Sequence, residues 1–160
     1  FKSLFSVFCR QKIKGKIMIR AFDAECFCGE VRLKIEEAPE TMGYCHCDSS
    51  RHWSAGLVNA FSLWAPRNIQ VLQGKSNLKT CAKTENSLGR CCGTCGGHLL
   101  TEHPKMNLVD VYSGVINRFE FNPSIHVFYL KKQISMSDGL SKFSDMPEYI
   151  GGSGELILEW

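Results

Sequence analysis

A chain of 160 residues, 44% hydrophobic and 22% charged, has the size and composition of one folded domain, which excludes a disordered polymer. No apolar run approaches the roughly 20 residues a membrane-spanning helix needs, so no transmembrane helix is expected. The formal net charge of +3 belongs to the first twenty residues, which hold six basic side chains and no acid; the remainder carries thirteen basic against sixteen acidic groups and shows no basic stripe that would suit nucleic acid.

In chain order, residues 1–17 read as a basic amphipathic arm. Phe1, Leu4, Phe5 and Phe8 recur at the spacing of one helical face, and Lys2, Arg10, Lys12, Lys14 and Lys16 flank them. Such composition suits a mitochondrial targeting remnant, a helix docked on a protein assembly or membrane face, or a remnant of cloning. Residues 18–160 then read as one β domain. Val31, Leu33 and Ile35 alternate as a strand and follow Cys26-Phe27-Cys28-Gly29 as the second arm of a hairpin would. Further strands are expected over 56–64, 69–73, 78–83, 97–102, 109–116 and 125–130. Turn signals at Ala65-Pro66-Arg67-Asn68, Gln73-Gly74 and Asn122-Pro123-Ser124 separate them. The stretch 137–155, rich in Gly, Ser, Asp and Pro, is expected to be an irregular surface tail.

Nine cysteines in so small a domain need a chemical explanation. Their odd number and two Cys-x-Cys pairs suit disulfides poorly, because bridging such a pair closes a small, strained ring. Thiolates two or three residues apart can instead share one tetrahedral zinc. Cys26-Phe-Cys28-Gly29 and Cys92-Gly-Thr-Cys95-Gly96 together supply a closed four-sulfur site, with glycines placed to let the chain turn beneath the metal. The alternative is four reduced, buried thiols. Zinc sites and reduced thiols point to an intracellular, reducing compartment, cytoplasmic if not mitochondrial.

Cys45-His46-Cys47 is less complete. A third thiol three residues after Cys47 would give three thiolates and an open fourth position, yet Ser50 stands there. A hydroxyl that keeps its proton is a feeble zinc ligand, so a second zinc on Cys45 and Cys47 would need His52 or His46 to complete it. The alternative is two free thiols in a structured loop. Cys81, in an alternating stretch, is expected to be buried as a small apolar residue.

These motifs resemble the glutathione-dependent formaldehyde-activating enzyme family. Cys26-Phe-Cys28-Gly29, Tyr44-Cys45-His46-Cys47, Arg51-His52-Trp53-Ser54-Ala55-Gly56 and Arg90-Cys91-Cys92-Gly93-Thr94-Cys95-Gly96-Gly97-His98 carry the resemblance in order, with Asp138-Gly-Leu-Ser-Lys-Phe143 towards the end. The resemblance implies an Mss4-like, zinc-stabilised β-sandwich of short antiparallel strands. It also implies the structural ligands Cys26, Cys28, Cys92 and Cys95. A second, reactive zinc on the Cys-x-Cys-x-x-Cys triplet would serve a carbon–sulfur lyase acting on a glutathione–formaldehyde adduct. Carried over by position, Cys45 and Cys47 are ligands of that zinc and Ser50 replaces the third. Arg51 and Trp53 would flank glutathione, or else be a solvated charge and a core aromatic. Two functions follow: a degraded member retained as an accessory subunit and docked through residues 1–17, or a lyase on a thiol adduct at a labile zinc.

Overall fold

The computed structural model describes residues 20–158; the arm at 1–17 lies outside them, and so does Cys9. The strands are β1 (Ala21–Glu25), β2 (Arg32–Glu36), β3 (Thr41–Cys45), β4 (Asn59–Trp64), β5 (Ile69–Gln73), β6 (Leu78–Thr84), β7 (Ser87–Cys92), β8 (His98–His103), β9 (Leu108–Tyr112), β10 (Ile125–Val127) and β11 (Ser141–Lys142). Among the described residues there is one α-helix, α1 (Asp48–Ser54). The protein is mainly β. No helix of these residues is long and apolar enough to cross a membrane.

Two sheets form, one ordered β1-β2-β5 and an eight-stranded one ordered β11-β10-β3-β4-β9-β8-β7-β6. Neighbours pair antiparallel except at one edge, where β10 runs parallel to both β3 and β11. Alternation explains how the sheets meet, because successive side chains point to opposite faces. Val31, Leu33 and Ile35 are fully buried against Trp64, Leu99 and Val111 of the large sheet. Each such side chain contributes roughly 1.5–3 kcal/mol relative to exposure. Trp64 keeps its polar edge satisfied by donating to Ser62 Oγ at 3.0 Å. The opposite face of the large sheet carries a second apolar cluster of Cys45, Phe61, Leu63, Ile125 and Val127.

Several strands end earlier than their apolar runs suggest. β9 stops at Tyr112, where one 3₁₀ turn (Ser113–Val115) begins. β10 stops at Val127 because Phe128 takes a left-handed conformation with φ 55°. β3 and β7 were not expected, since a central glycine makes each look like a turn. The tail at 137–155 is also more ordered than its composition implies: β11 joins the sheet, and Lys142 and Ser144 are buried.

Helix α1 is seven residues long, too short to persist without tertiary support. Cys47 caps its start by accepting the Ser50 N–H on sulfur at 3.3 Å, and Ala55 ends it in a left-handed conformation. Arg51 braces it from below. This side chain is buried, donating from Nε to the His46 carbonyl at 3.0 Å and pairing with Asp48 at 2.6 Å.

Candidate metal centre and cavity

The two knuckles sit at hairpin tips. Cys26 and Cys28 lie between β1 and β2, and Cys92 and Cys95 lie at the β7–β8 turn. Gly29 and Gly96, directly after the second thiol of each pair, take φ of 78° and 72°, a region open to glycine at little cost. The four sulfurs lie within 4.8 Å of one another, with 3.7 Å between Cys26 and Cys28 and 3.8 Å between Cys28 and Cys92. Tetrahedral zinc with bonds of about 2.3 Å spaces its sulfurs about 3.8 Å apart.

The surroundings fit thiolates holding a cation. Backbone N–H groups point at sulfur from Val31 to Cys26 (3.2 Å), from Thr94 to Cys92 (3.4 Å) and from Gly97 to Cys95 (3.4 Å). The Gly97 N–H is the main reason that the Cys95 thiol falls to about 6, against the cost of burial. At Cys28 the Glu30 N–H favours the thiolate, yet burial and the crowding thiols of Cys95, Cys26 and Cys92 push it up to about 12. Four sulfurs this close cannot all carry charge without a cation among them. Among the described residues this is the one group of three or more candidate metal ligands.

Cys45 and Cys47 are positioned differently. Cys45 is buried in the second apolar cluster and Cys47 is half-buried at the start of α1. Hydrogen bonding with Cys45, against burial and with help from Ser50, brings the Cys47 thiol down to about 5. The same pairing, with burial, pushes the Cys45 thiol up. The pairing therefore favours the thiolate on Cys47 over that on Cys45. His46 turns to the opposite side, where its Nε2 meets His126 Nδ1 at 2.9 Å, and His126 Nε2 reaches Asp138 at 2.9 Å. Burial, then His126, lowers the His46 pKa to about 4. His52 is exposed and is not gathered with the two thiols. Two thiols and the Ser50 hydroxyl do not make a three-thiolate centre.

Beside this loop, α1 lies across β6–β9 and borders a half-open cavity of about 240 Å³. Ser49, Ser50, His52 and Trp53 form its helix wall. Thr101, His103, Asp110 and Tyr112 lie on the sheet side. Trp53 stacks on His98 with ring centroids 3.8 Å apart. Arg51, bound to Asp48 and the His46 carbonyl, is not among the residues that line the cavity. Cys81 corrects the expectation of burial: it is exposed, because β6 is the edge strand and most of its side chains face solvent, and it lines the cavity.

Sequence reading missed Asp110. It is 5% exposed, accepts the Ser62 N–H at 3.0 Å and faces the Asn59 amide at 3.4 Å. Burial pushes its carboxyl up to about 7, although these two donors hold it back. Burial, then Asp110, raises the Tyr112 phenol. An acid between valines in Leu108-Val-Asp-Val-Tyr112 was the signal available in sequence.

A family model described as glutathione-dependent formaldehyde-activating enzyme matches residues 21–131, more than two thirds of the chain. Among solved structures, the crystal structure of a Rhodobacter sphaeroides protein from structural genomics is similar, with a TM-score of 0.53 and 17% sequence identity. That alignment covers 61% of this chain and 90% of the other, a likeness of fold. No curated protein matches the chain.

Proposed function

Because the chain belongs to the glutathione-dependent formaldehyde-activating enzyme family, we propose that it is a zinc-stabilised member whose second metal position is degraded, retained as an accessory or interaction subunit of a larger assembly. The observation that carries this reading is the donor set around the helix start: Cys45 and Cys47 supply two thiols, Ser50 supplies a hydroxyl, and no His, Cys, Asp or Glu among the described residues joins them in a cluster. Cys26, Cys28, Cys92 and Cys95 would hold the zinc that remains. There it cross-links two hairpins whose nearest ligands, Cys28 and Cys92, are 64 residues apart in sequence, which makes the metal part of the folding free energy. The basic arm at 1–17 is the segment through which such a subunit would dock on a protein assembly or membrane face. The compartment proposed is intracellular and reducing, with mitochondria suggested by the arm.

A second reading rests on the cavity. A carbon–sulfur lyase acting on a hydroxymethyl thiol adduct must take the hydroxyl proton while the carbon–sulfur electrons leave with sulfur. Asp110, which lines the cavity with its carboxyl pushed up to about 7, is one acid–base group that could take that proton.

Metal counting on the purified full chain tests the leading reading. The expected result is one tightly bound zinc per chain and no release of formaldehyde from S-(hydroxymethyl)glutathione. Two tightly bound ions together with turnover would overturn it in favour of the lyase. Removing residues 1–17 should release the protein from its assembly while its melting transition persists; unchanged association would remove the docking role.

A further inference from the structure

Cys91 and Cys92 are consecutive on β7, so their side chains leave opposite faces of the large sheet. Cys92 enters the core between the sheets and the four-sulfur cluster. Cys91 leaves on the other side, and its sulfur lies 4.0 Å from that of Cys81 on β6. Neither thiol belongs to the structural cluster or to the Cys45–Cys47 loop, and Cys81 opens on the cavity.

We propose that Cys81 and Cys91 form a two-thiol clamp for a single soft, thiophilic atom, either a divalent ion of the zinc–cadmium class or trivalent arsenic. Spacing is the first reason. Two sulfurs on one tetrahedral ion lie about 3.8 Å apart, and the proposed structural ligands of this protein stand at 3.7 and 3.8 Å. The register is the second. Cys81 pairs with Gly89 and Cys91 with Lys79, so the two cysteines are diagonal rather than direct neighbours. Diagonal β-carbons are typically about 7–8 Å apart or somewhat less, whereas a disulfide wants them roughly 3.5–4.5 Å apart. An atom inserted between the sulfurs spans the diagonal without moving the strands. Access is the third: Cys81 is exposed and lines the cavity, so a bound atom keeps positions free for water or a cavity ligand.

The exchange balances without a redox partner. On a divalent ion, each thiol gives its proton to solvent, two sulfur–metal bonds replace two metal–water bonds, and the two thiolates cancel the ion's charge. With an arsenic(III) oxide, two arsenic–sulfur bonds form, the oxide oxygen leaves as water with the two thiol protons, and arsenic stays trivalent.

The test uses the zinc-loaded full chain and its Cys81→Ser and Cys91→Ser variants, so binding at Cys45 and Cys47 cancels in the comparison. After incubation with cadmium chloride and desalting, zinc plus cadmium per chain should be one ion lower in each variant than in the wild type. Phenylarsine oxide should add one further phenylarsenic unit to the wild type, seen by native mass spectrometry and lost in both variants. Loss of either ligand in both variants supports the clamp and identifies the atom it takes. Equal stoichiometry in all three proteins would overturn it. Loss in Cys91→Ser alone would also overturn it, because that result reports disturbance of the adjacent Cys92.

Discussion

The sulfur of Cys47 lies 3.2 Å from the hydroxyl oxygen of Ser50 and accepts the Ser50 N–H at 3.3 Å, so the start of α1 is capped by a thiol. Residue 50 therefore presents its side chain to the sulfur that a second metal would use. Ser50→Cys should supply the missing thiolate and raise the zinc count from one to two per chain by elemental analysis. A variant that stays at one ion would show that position 50 is not what limits this site.

The four-sulfur centre predicts a metal-dependent fold. A structural zinc can contribute on the order of 10 kcal/mol of apparent binding energy, comparable with the whole stability of a domain. Strong chelation, or Cys92→Ser, should abolish the cooperative thermal transition and the near-ultraviolet circular dichroism of the aromatic core. Cys81→Ser, at an exposed edge position, should leave both intact. A chelated protein that melted as before would rule the metal out as a structural element.

Local features of the fold were legible in the sequence, and partnerships between distant residues were not. The two cysteine pairs were legible, because chelating pairs and their glycines are local features, and so was β2, where Leu33 and Ile35 continue the alternation begun at Val31 and face one core. β7 was hidden by Gly89, whose lack of a side chain is required by a ring arriving from α1. Helix α1 was hidden because its cap is a cysteine rather than the usual serine, threonine or aspartate. The chain of hydrogen bonds from His46 through His126 to Asp138 joins residues 80 and 12 apart, a partnership no spacing rule detects. Thus the four-sulfur cluster could be read from residue types, whereas the cavity depends on which strands become neighbours.

Asp110 makes stability depend on pH with a definite sign. Its carboxyl moves from an ordinary 3.8 in the unfolded chain to about 7 when folded, so the native state binds the extra proton across that interval. The stabilising contribution is present below about pH 4 and is lost as pH rises through about 7. Asp110→Asn keeps an acceptor for the Ser62 N–H and removes the titration. Its stability relative to wild type should rise between pH 4 and 7 and level off above, by at most about 4 kcal/mol at 1.36 kcal/mol per pH unit. Chemical denaturation of both proteins across this range checks it, and parallel curves would show that Asp110 does not titrate there.

Gly89 and Trp53 are coupled by contact. A β-carbon at Gly89 would stand 2.6 Å from Trp53 Cζ2 and 2.7 Å from Cε2, closer than side chains tolerate. The indole cannot retreat easily, since it is stacked on His98 with an interplanar angle of 4°. Gly89→Ala should therefore lift α1 from the sheet, lowering stability by about 1–3 kcal/mol. Tryptophan fluorescence should change while the zinc count does not, because the four-sulfur cluster lies on the other face of the sheet. Replacing the indole with a smaller ring removes the obstructing atoms, so Trp53→Phe combined with Gly89→Ala should cost less than the sum of the single changes. Strict additivity in that double-mutant cycle would show that the helix does not rest on Gly89 through Trp53.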